Sequence, residues 1–306
     1  MNRKKIAFCT LGCKVNQYET NAMIQEFIKK KYEVVEFDEK ADIYVINTCT
    51  VTNMADRKSR QMLRKVKELA PRAVLIAVGC YAQVGREELE KIPEIDLILG
   101  NNEKKDVVKF AENAIKKKTG KLNVHNSENM AEEQQNKEVE YITQVTDVLH
   151  CEEYLEFGAV TFTEKTRAVI KVQDGCDRFC SYCIIPYARG HIRSRSPEQV
   201  VSEISKIAQM GIKEVVITGI HLASYGRDFA KNKSIDKNVQ QGVKDDKKIQ
   251  ELEISIGQEK KIEKGQNEYR LIDLLEEINE IEGIERIRLR FVRANTYNRR
   301  VCGKII

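Results

Sequence analysis

The chain has 306 residues, of which 32% are charged, and a formal net charge of +5. This length allows two domains that each bury a core, and no apolar run approaches the roughly 18 residues that a membrane span requires. Nine cysteines without a signal-peptide pattern are typical of a reducing compartment, so we expect a cytoplasmic protein whose thiols bind metal rather than form disulfides.

The first part of the chain alternates short apolar runs with amphipathic helical stretches. This alternation predicts an α/β domain over residues 1–120, with a doubly wound parallel sheet covered by helices on both faces. The predicted strands are residues 6–9, 34–37, 43–47, 74–78 and 95–99, and the predicted helices are residues 19–30, 56–69, 86–91 and 105–117.

Three cysteines follow predicted strands of this sheet. Cys13, Cys49 and Cys80, here called the first triad, each lie within four residues of the carboxyl end of a strand. Because such loops converge at one sheet edge, we expect the three thiols to meet there and to hold a metal cluster. The alternative is that they are ordinary small buried residues, which is what we expect of Cys9 inside the first strand.

A basic stretch follows Cys49. Residues 57–72 carry seven Lys and Arg side chains against the single acid Glu68. Such a face suits RNA phosphates, but a helix face that is merely solvated has the same composition, and both interpretations stay open.

Residues 121–166 are rich in Asn, Gln and Glu and are interpreted as a linker between domains. Within it, Tyr154, Phe157 and Phe162 indicate that the last part packs on a domain. Cys151 has neither a glycine nor a strand beside it and is assigned no role.

The second domain, residues 167–290, has the pattern of a partial (β/α) barrel, whose active site lies at the carboxyl ends of its strands. Its predicted elements are a strand at residues 167–172, a cysteine loop, a helix at 197–210, a strand at 214–218, a helix at 271–281 and a strand at 286–289.

Cys176, Cys180 and Cys183, here called the second triad, lie in the loop after the first of these strands with the spacing C-x3-C-x2-C. Zinc sites and ordinary ferredoxin clusters usually have four protein ligands, so three thiols favour an iron–sulfur cluster with one iron open to a substrate or cofactor. A zinc site completed by His191 and a set of three free thiols are the alternatives.

This spacing, together with Tyr182, resembles the signature of the radical S-adenosylmethionine (SAM) enzymes, in which SAM binds the open iron. Four segments together resemble the radical SAM methylthiotransferases: residues 10–19 (TLGCKVNQYE), 47–52 (NTCTVT), 79–83 (GCYAQ) and 175–190. Within that family, the segment KVNQYE after Cys13 resembles the branch that acts on threonylcarbamoyladenosine in tRNA.

The resemblance implies an enzyme that adds a methylthio group to C2 of N6-threonylcarbamoyladenosine in the anticodon loop of tRNA. It implies two four-iron, four-sulfur clusters: one on the first triad that carries the sulfur, and one on the second triad where one SAM is cleaved to a radical. A second SAM would supply the methyl group, and a reductant such as flavodoxin or ferredoxin would supply electrons.

Four residues near the second triad are expected to contact SAM: Tyr182, Arg189, Arg195 and Gly219. The two arginines, like Arg193 between them, are expected to hold the SAM carboxylate or the tRNA backbone. The alternative for these arginines is a structural ion pair.

Two stretches depart from the family pattern. Residues 227–269 are polar and lack apolar periodicity, which is typical of a disordered insertion. The resemblance ends after Leu289, and reading the codons one nucleotide later would restore a family-like sequence. We therefore expect residues 291–306 to be an aberrant tail after a frameshift, with the rest of the barrel and a terminal RNA-binding domain missing.

Other functions stay open at this point. The chain could be a non-catalytic iron–sulfur protein or an inactive truncated enzyme. It could also be a methylthiotransferase that acts on isopentenyladenosine in tRNA or on a ribosomal protein.

Overall fold

The computed structural model describes residues 3–125, 142–161, 166–229 and 269–290. The strands of its first sheet are β1 (Lys5–Thr10), β2 (Glu33–Val35), β3 (Ile43–Thr48), β4 (Val74–Gly79), β5 (Leu97–Leu99) and β6 (Ile142–Gln144). The helices around this sheet are α1 (Lys14–Lys29), α2 (Asn53–Leu69), α3 (Cys80–Val84), α4 (Arg86–Glu90) and α5 (Val107–His125). All six strands are parallel, in the order β2, β1, β3, β4, β5, β6.

Alternate residues of the central strands point to opposite faces of this sheet. In β3, Tyr44 and Ile46 join the apolar core under α2, whereas Ile43 and Val45 join the core under α1 and α5. Helices therefore cover both faces, and the predicted doubly wound parallel sheet is confirmed.

Helix α1 begins at Lys14, five residues before the predicted start at residue 19. Val15, Tyr18 and Ala22 are buried at helical spacing, but the polar residues between them hide that period in the sequence. The earlier start matters because it brings the beginning of α1 directly against Cys13.

Part of the predicted linker belongs to the first sheet. Helix α5 continues through His125, and strand β6, at residues 142–144, pairs in parallel with β5. Three residues are too few to show a strand period, so the pattern could not reveal β6. The interpretation of the whole of residues 121–166 as a linker is corrected accordingly.

The last part of that segment packs on folded structure, as its aromatic residues predicted. The Tyr154 hydroxyl donates a 2.9 Å hydrogen bond to the Lys171 carbonyl oxygen. The Phe157 ring meets the Tyr18 ring edge-on, with centroids 6.5 Å apart. Phe162 lies outside the described residues.

The second sheet has four strands, β7 (Arg167–Asp174), β8 (Arg193–Ser194), β9 (Glu214–Gly219) and β10 (Arg286–Leu289). Its helices are α6 (Ile185–Arg189), α7 (Pro197–Gln209) and α8 (Leu271–Asn279). The order is β10, β9, β7, β8, with only the short β8 antiparallel. Helices α7 and α8 pack on one face through a shared apolar core, so the predicted alternation of strands and helices is confirmed for the described part of this domain.

Helix α1 joins the two sheets. Tyr18 and Ala22 of α1 form a small apolar cluster with Val160, against which Val169 of β7 and Phe157 pack. Gln25, one turn further on, donates a 2.9 Å hydrogen bond to the Ala159 carbonyl oxygen. One helix of the first domain is thus packed directly on the first strand of the second.

None of the helices in the described ranges is long and apolar enough to cross a membrane. Most of the predicted insertion, residues 230–268, and the predicted aberrant tail, residues 291–306, lie outside the described residues.

Replacing Gly79 by alanine should destabilise the first domain strongly. Gly79 has φ 100° and ψ −163°, a backbone region that is almost confined to glycine. An added Cβ would also lie 2.5 Å from Asn47 Oδ1 and 2.6 Å from the Thr48 carbonyl oxygen. We expect Gly79→Ala to lower the free energy of unfolding by about 3 kcal/mol or more.

The matched control for that substitution is Gly211→Ala. Gly211 also has a positive φ, 83°, but an added Cβ would meet no atom within 4 Å. Its cost should be the backbone strain alone, about 1 kcal/mol. Thermal unfolding of the metal-free protein compares the two, and equal losses would contradict the role given to the surroundings of Gly79.

Candidate metal centre

The first triad follows three neighbouring strands. Cys13 caps the amino end of α1 after β1, Cys49 directly follows β3, and Cys80 opens α3 directly after β4. Since β1, β3 and β4 are adjacent and parallel, all three loops leave the same edge of the sheet. The topology therefore places the cysteines at one edge, as the sequence pattern indicated.

Two observations indicate that Cys49 lies close to the other two loops. A Cβ on Gly12 would lie 2.7 Å from Cys49 Sγ, so the loop that leads to Cys13 passes directly over this thiol. Burial raises the pKa of the Cys49 thiol, and the neighbouring Cys80 and Cys13 raise this pKa further. Cys49 thus lies beside the loop of Cys13 and senses the charges of Cys13 and Cys80, whereas Cys9 packs against the apolar core under α2.

Side-chain hydrogen bonds lock these loops together. Asn16 Nδ2 donates to the carbonyl oxygens of Leu11 (2.8 Å) and Thr48 (3.0 Å), which joins the first two cysteine loops. Thr48 Oγ1 donates to the Val78 carbonyl oxygen (2.6 Å) and accepts from the Ala82 backbone N–H (3.2 Å), which joins the third. Sequence reasoning assigned no role to Asn16 and Thr48, although both belong to the quoted motifs.

The second triad lies in a compact loop after β7. The Cys176 backbone N–H donates to the Gly190 carbonyl oxygen (3.0 Å), and the Cys183 N–H donates to that of Cys180 (2.9 Å). All three cysteines are half-buried and free of disulfides. Local backbone bonds thus order the loop that carries the three cysteines, directly after the carboxyl end of β7.

Aromatic side chains surround this loop on its solvent side. Phe179 has a φ of +42°, which large side chains rarely adopt, and its ring meets the rings of Tyr187 and His191 at 5.8 Å each. Tyr182 is 81% exposed and Tyr187 is 53% exposed. The loop therefore presents apolar ring faces beside the second triad.

A buried ionic network fills the contact between the two sheets. Glu19 of α1 accepts from Lys171 Nζ (2.7 Å) and Arg189 Nη1 (2.7 Å) through Oε1, and it pairs with Lys104 through Oε2. Asp174 accepts from Lys171 (2.6 Å) and Arg189 (3.1 Å). All five side chains are at least 95% buried, so these charges are shielded from water and interact mainly with one another.

The network holds both acids in their charged form. Burial alone would raise the pKa of Glu19, but Arg189, Lys104 and Lys171 together lower it well below the usual 4.5. Burial likewise acts to raise the pKa of Asp174, and Lys171, Arg189 and Arg193 outweigh it and lower that pKa. Two carboxylates that are charged at neutral pH thus anchor the cations between the sheets.

Arg189 and Arg195 do not have the role predicted from the sequence. Both are fully paired inside the protein: Arg195 donates to Glu156 Oε1 (2.6 Å) through Nη2, and its Nη1 pairs with Glu203. Guanidinium groups engaged in this way are not available to the SAM carboxylate or the tRNA backbone. The prediction is corrected to the alternative, a structural ion pair, whose acidic partners include Glu19, 170 residues from Arg189, and Glu156, 39 residues from Arg195.

Arg193 is also buried, and its Nη2 donates to the Arg189 carbonyl oxygen (2.8 Å).

Gly219, expected beside the cofactor, ends β9 against the buried side chain of Gln173 in β7. Gln173 Oε1 accepts from the His221 backbone N–H (2.7 Å), and its Nε2 donates to the Gly175 carbonyl oxygen (2.8 Å). This one amide ties the second cysteine loop to the end of the next strand.

His191, the predicted fourth ligand of a zinc site, is bound elsewhere. Its Nδ1 lies 2.8 Å from Asp177 Oδ1, which also accepts from the Ile192 backbone N–H. Across the described ranges, no three His, Cys, Asp or Glu side chains are arranged to hold a single metal ion. The same holds for the thiols of both triads, so only the contact of His191 with Asp177 argues against the zinc alternative.

Helix α2 begins beside Cys49 and carries its bases on the solvent side. Arg60 pairs with Glu88 and Lys65 with Asp38. The exposed side chains Arg57, Lys58 and Arg64 have no acidic partner among the residues that the structure describes. Three exposed cations therefore lie on the helix that leaves the edge of the first triad.

The two halves of the chain match two known protein families. Residues 5–100 match Uncharacterized protein family UPF0004, and residues 170–291 match the Radical SAM superfamily. The second cysteine loop therefore lies in a radical SAM domain.

The threonylcarbamoyladenosine tRNA methylthiotransferases of Aquifex aeolicus and Bacillus subtilis are 41% and 40% identical to this chain over 228 and 224 residues. The ribosomal protein uS12 methylthiotransferase of Desulfitobacterium hafniense is 32% identical over 292 residues.

The chain belongs to the radical SAM methylthiotransferases, as the motifs indicated. The alignments with the Aquifex, Bacillus and Desulfitobacterium proteins cover 74%, 73% and 94% of this chain. They cover 50%, 45% and 52% of those proteins, so the chain spans about half the length of these relatives.

Glu19 should make the stability of the protein sensitive to acid. Its folded-state pKa lies below its unfolded value, so its stabilising contribution is present above about pH 4.5 and is lost as the pH falls. We expect Glu19→Gln to lower the free energy of unfolding at pH 7 by about 3 kcal/mol or more, because the buried cations that pair with Glu19 lose its negative charge. The loss relative to wild type should shrink as the pH falls below about 4.5.

Unfolding of the metal-free protein from pH 7 to pH 3 tests this expectation. Glu87→Gln, a change of the same kind at an exposed position of α4, is the matched control and should follow wild type throughout. A difference between Glu19→Gln and wild type that stays constant over this pH range would contradict the argument.

Proposed function

We propose that this chain is the UPF0004 and radical SAM part of an enzyme that adds a methylthio group to C2 of N6-threonylcarbamoyladenosine in tRNA. The observation that carries the proposal is the arrangement of two cysteine triads on adjoining sheet edges. Arg189 Nε lies 3.3 Å from Cys80 Sγ, and the same guanidinium pairs with Asp174, two residues before Cys176. Asn101 Nδ2 donates to the Ala188 carbonyl oxygen (2.6 Å) and closes the same contact.

The residues present fit two four-iron, four-sulfur clusters and SAM. All six cysteines are free thiols. Glycine at position 12 leaves room beside Cys49 that any larger residue would fill. The second triad offers three thiols on one loop, a ligand set that leaves one iron for SAM. When bound, these groups supply the radical and the methylthio group that replace an adenine C–H.

The protein side chains position these groups. Asn16 and Thr48 fix the loops of the first triad, and Gln173 fixes the loop of the second to the end of β9. The exposed rings of Tyr182 and Tyr187 beside the second triad give faces on which an adenine base can stack. We assign Tyr182 to substrate or SAM contact on this basis.

Sequence similarity favours a tRNA substrate over a ribosomal protein. Two relatives named threonylcarbamoyladenosine tRNA methylthiotransferases are 41% and 40% identical, against 32% for the relative named for uS12. A reductant such as flavodoxin or ferredoxin would supply the electrons. An enzyme that modifies tRNA would work in the cytoplasm.

Replacing each triad by alanines should remove one cluster at a time. We expect the reconstituted protein to bind iron and sulfide for two clusters and to cleave SAM when dithionite supplies electrons. The Cys176→Ala, Cys180→Ala, Cys183→Ala variant should lose one cluster and all SAM cleavage. The Cys13→Ala, Cys49→Ala, Cys80→Ala variant should lose the other cluster and keep SAM cleavage.

Iron and sulfide analysis with quantification of 5′-deoxyadenosine measures both outcomes. The variant Cys9→Ala, Cys151→Ala is the control and should keep both clusters. Iron binding by wild type without any SAM cleavage would favour a non-catalytic iron–sulfur protein. SAM cleavage by the second-triad variant would contradict the assignment outright.

The exposed bases of α2 should bind tRNA phosphates. We expect Arg57→Ala, Lys58→Ala, Arg64→Ala to weaken tRNA binding and to reduce the slope of log affinity against log salt by about 2. The control variant is Lys4→Ala, Lys30→Ala, Lys40→Ala, which also removes three exposed cations. Lys4 and Lys40 precede β1 and β3, and Lys30 follows α1, so all three lie away from the sheet edge that carries the first triad. Equal salt slopes for both variants, measured by titration of unmodified tRNA, would show that α2 is only a solvated face.

A further inference from the structure

The buried network between the sheets carries more positive than negative charge. Lys104, Lys171, Arg189 and Arg193 are its cations, and Glu19 and Asp174 are the acids with which they pair among the described residues. All six side chains are at least 95% buried. Four cations against two carboxylates leave a formal excess of two positive charges.

Such an excess is costly unless an anion lies nearby, because buried charge is poorly solvated. The geometry offers one sulfur at this place, Cys80 Sγ, which would carry negative charge as a ligand of a cluster. Arg189 Nε lies 3.3 Å from Cys80 Sγ, and Asn101 Nδ2 lies 3.7 Å from the same sulfur. The other donors of Arg189 reach Glu19, Asp174 and Asn16, so among its hydrogen bonds to described residues the one to Cys80 alone involves a cysteine.

Arg189 is held rigidly in this place. Its Nη1 donates to Glu19 Oε1 (2.7 Å) and Asp174 Oδ1 (3.1 Å), and its Nη2 donates to Asn16 Oδ1 (2.6 Å). Asn16 in turn fixes the loops of Cys13 and Cys49 through backbone carbonyl groups. One guanidinium thus contacts a first-triad sulfur directly and the other two loops through a single amide.

We propose that Arg189 is a positioning residue for the first-triad cluster, which orients Cys80 and raises the reduction potential of that cluster through its hydrogen bond and its buried charge. The inference rests on the proposed function, because it requires a cluster on Cys13, Cys49 and Cys80. Hydrogen bonds to ligand sulfurs and nearby net charge are the means by which proteins set the potentials of iron–sulfur clusters. A positive charge beside the cluster favours the reduced, more negative form.

The test uses the full chain with the Cys176→Ala, Cys180→Ala, Cys183→Ala background, so that only the first-triad cluster is present. Its potential is measured by titration with dithionite and mediator dyes, followed by electron paramagnetic resonance, with iron content as a second readout. Adding Arg189→Gln should lower the potential by at least about 59 mV, a tenfold change in the reduction equilibrium of a one-electron couple. Glu19→Gln, which removes a negative charge from the same network, should shift the potential upward.

Arg195→Gln is the matched control. Arg195 is equally buried and also contacts α1, where its Nη1 donates to the Tyr18 hydroxyl (3.4 Å), but it touches none of the six triad cysteines. This variant should lose stability and keep the potential of the background protein. Arg189→Lys keeps the charge but lacks the planar set of donors. Its reduction potential should lie between those of the background protein and the Arg189→Gln variant.

The possible outcomes separate the two proposals. If the background protein binds no cluster, the proposed function fails. If it binds one whose potential is the same with Arg189→Gln, or shifts equally with Arg195→Gln, the role of Arg189 is refuted. If Arg189→Gln does not fold, Glu19→Gln decides the matter, and an unchanged or lowered potential in that variant overturns the inference.

Discussion

The contact between Glu19 and Arg189 is the interaction on which the rest of this structure depends. The two residues are 170 positions apart, one on α1 of the first domain and the other at the end of α6 in the second. Burying such a pair costs solvation free energy that its attraction does not always recover, so its main effect is on specificity. Donors and acceptors from both sheets meet at this contact, where Arg189 touches Cys80 of the first triad and Asp174, two residues before Cys176 of the second.

The cysteine positions could be predicted because they depend on local pattern. A cysteine that follows an apolar strand within a few residues lies at the edge of the sheet. This placement follows from the local sequence and does not depend on contacts with distant residues. The same is true of the second triad, whose spacing and preceding strand are contiguous in sequence. The structure agrees with both placements because neither needed a contact between distant residues.

The role of Arg189 and Arg195 could not be predicted in this way. In the sequence they are cations a few residues after a candidate cofactor loop, and an anionic cofactor is the obvious partner. Glu19, a partner of Arg189, belongs to the other domain, and Glu203, a partner of Arg195, lies eight residues further on in the buried face of α7. Strand β6 was missed for a related reason, because its pairing with β5 and not its own three residues makes it a strand.

Helix α1 shows why the placement of the domains and the geometry of the first triad cannot vary independently. It begins at the loop of Cys13, carries Asn16 that binds two cysteine loops, and then presents Glu19 to the second sheet. Six residues of helix separate Cys13 from Glu19, a rise of about 9 Å along a rigid rod. A shift of the second sheet would therefore pull on Glu19 and displace the first triad with it. The ionic network consequently fixes how the sheets pack and, through the same helix, where the first-triad thiols lie relative to the second loop.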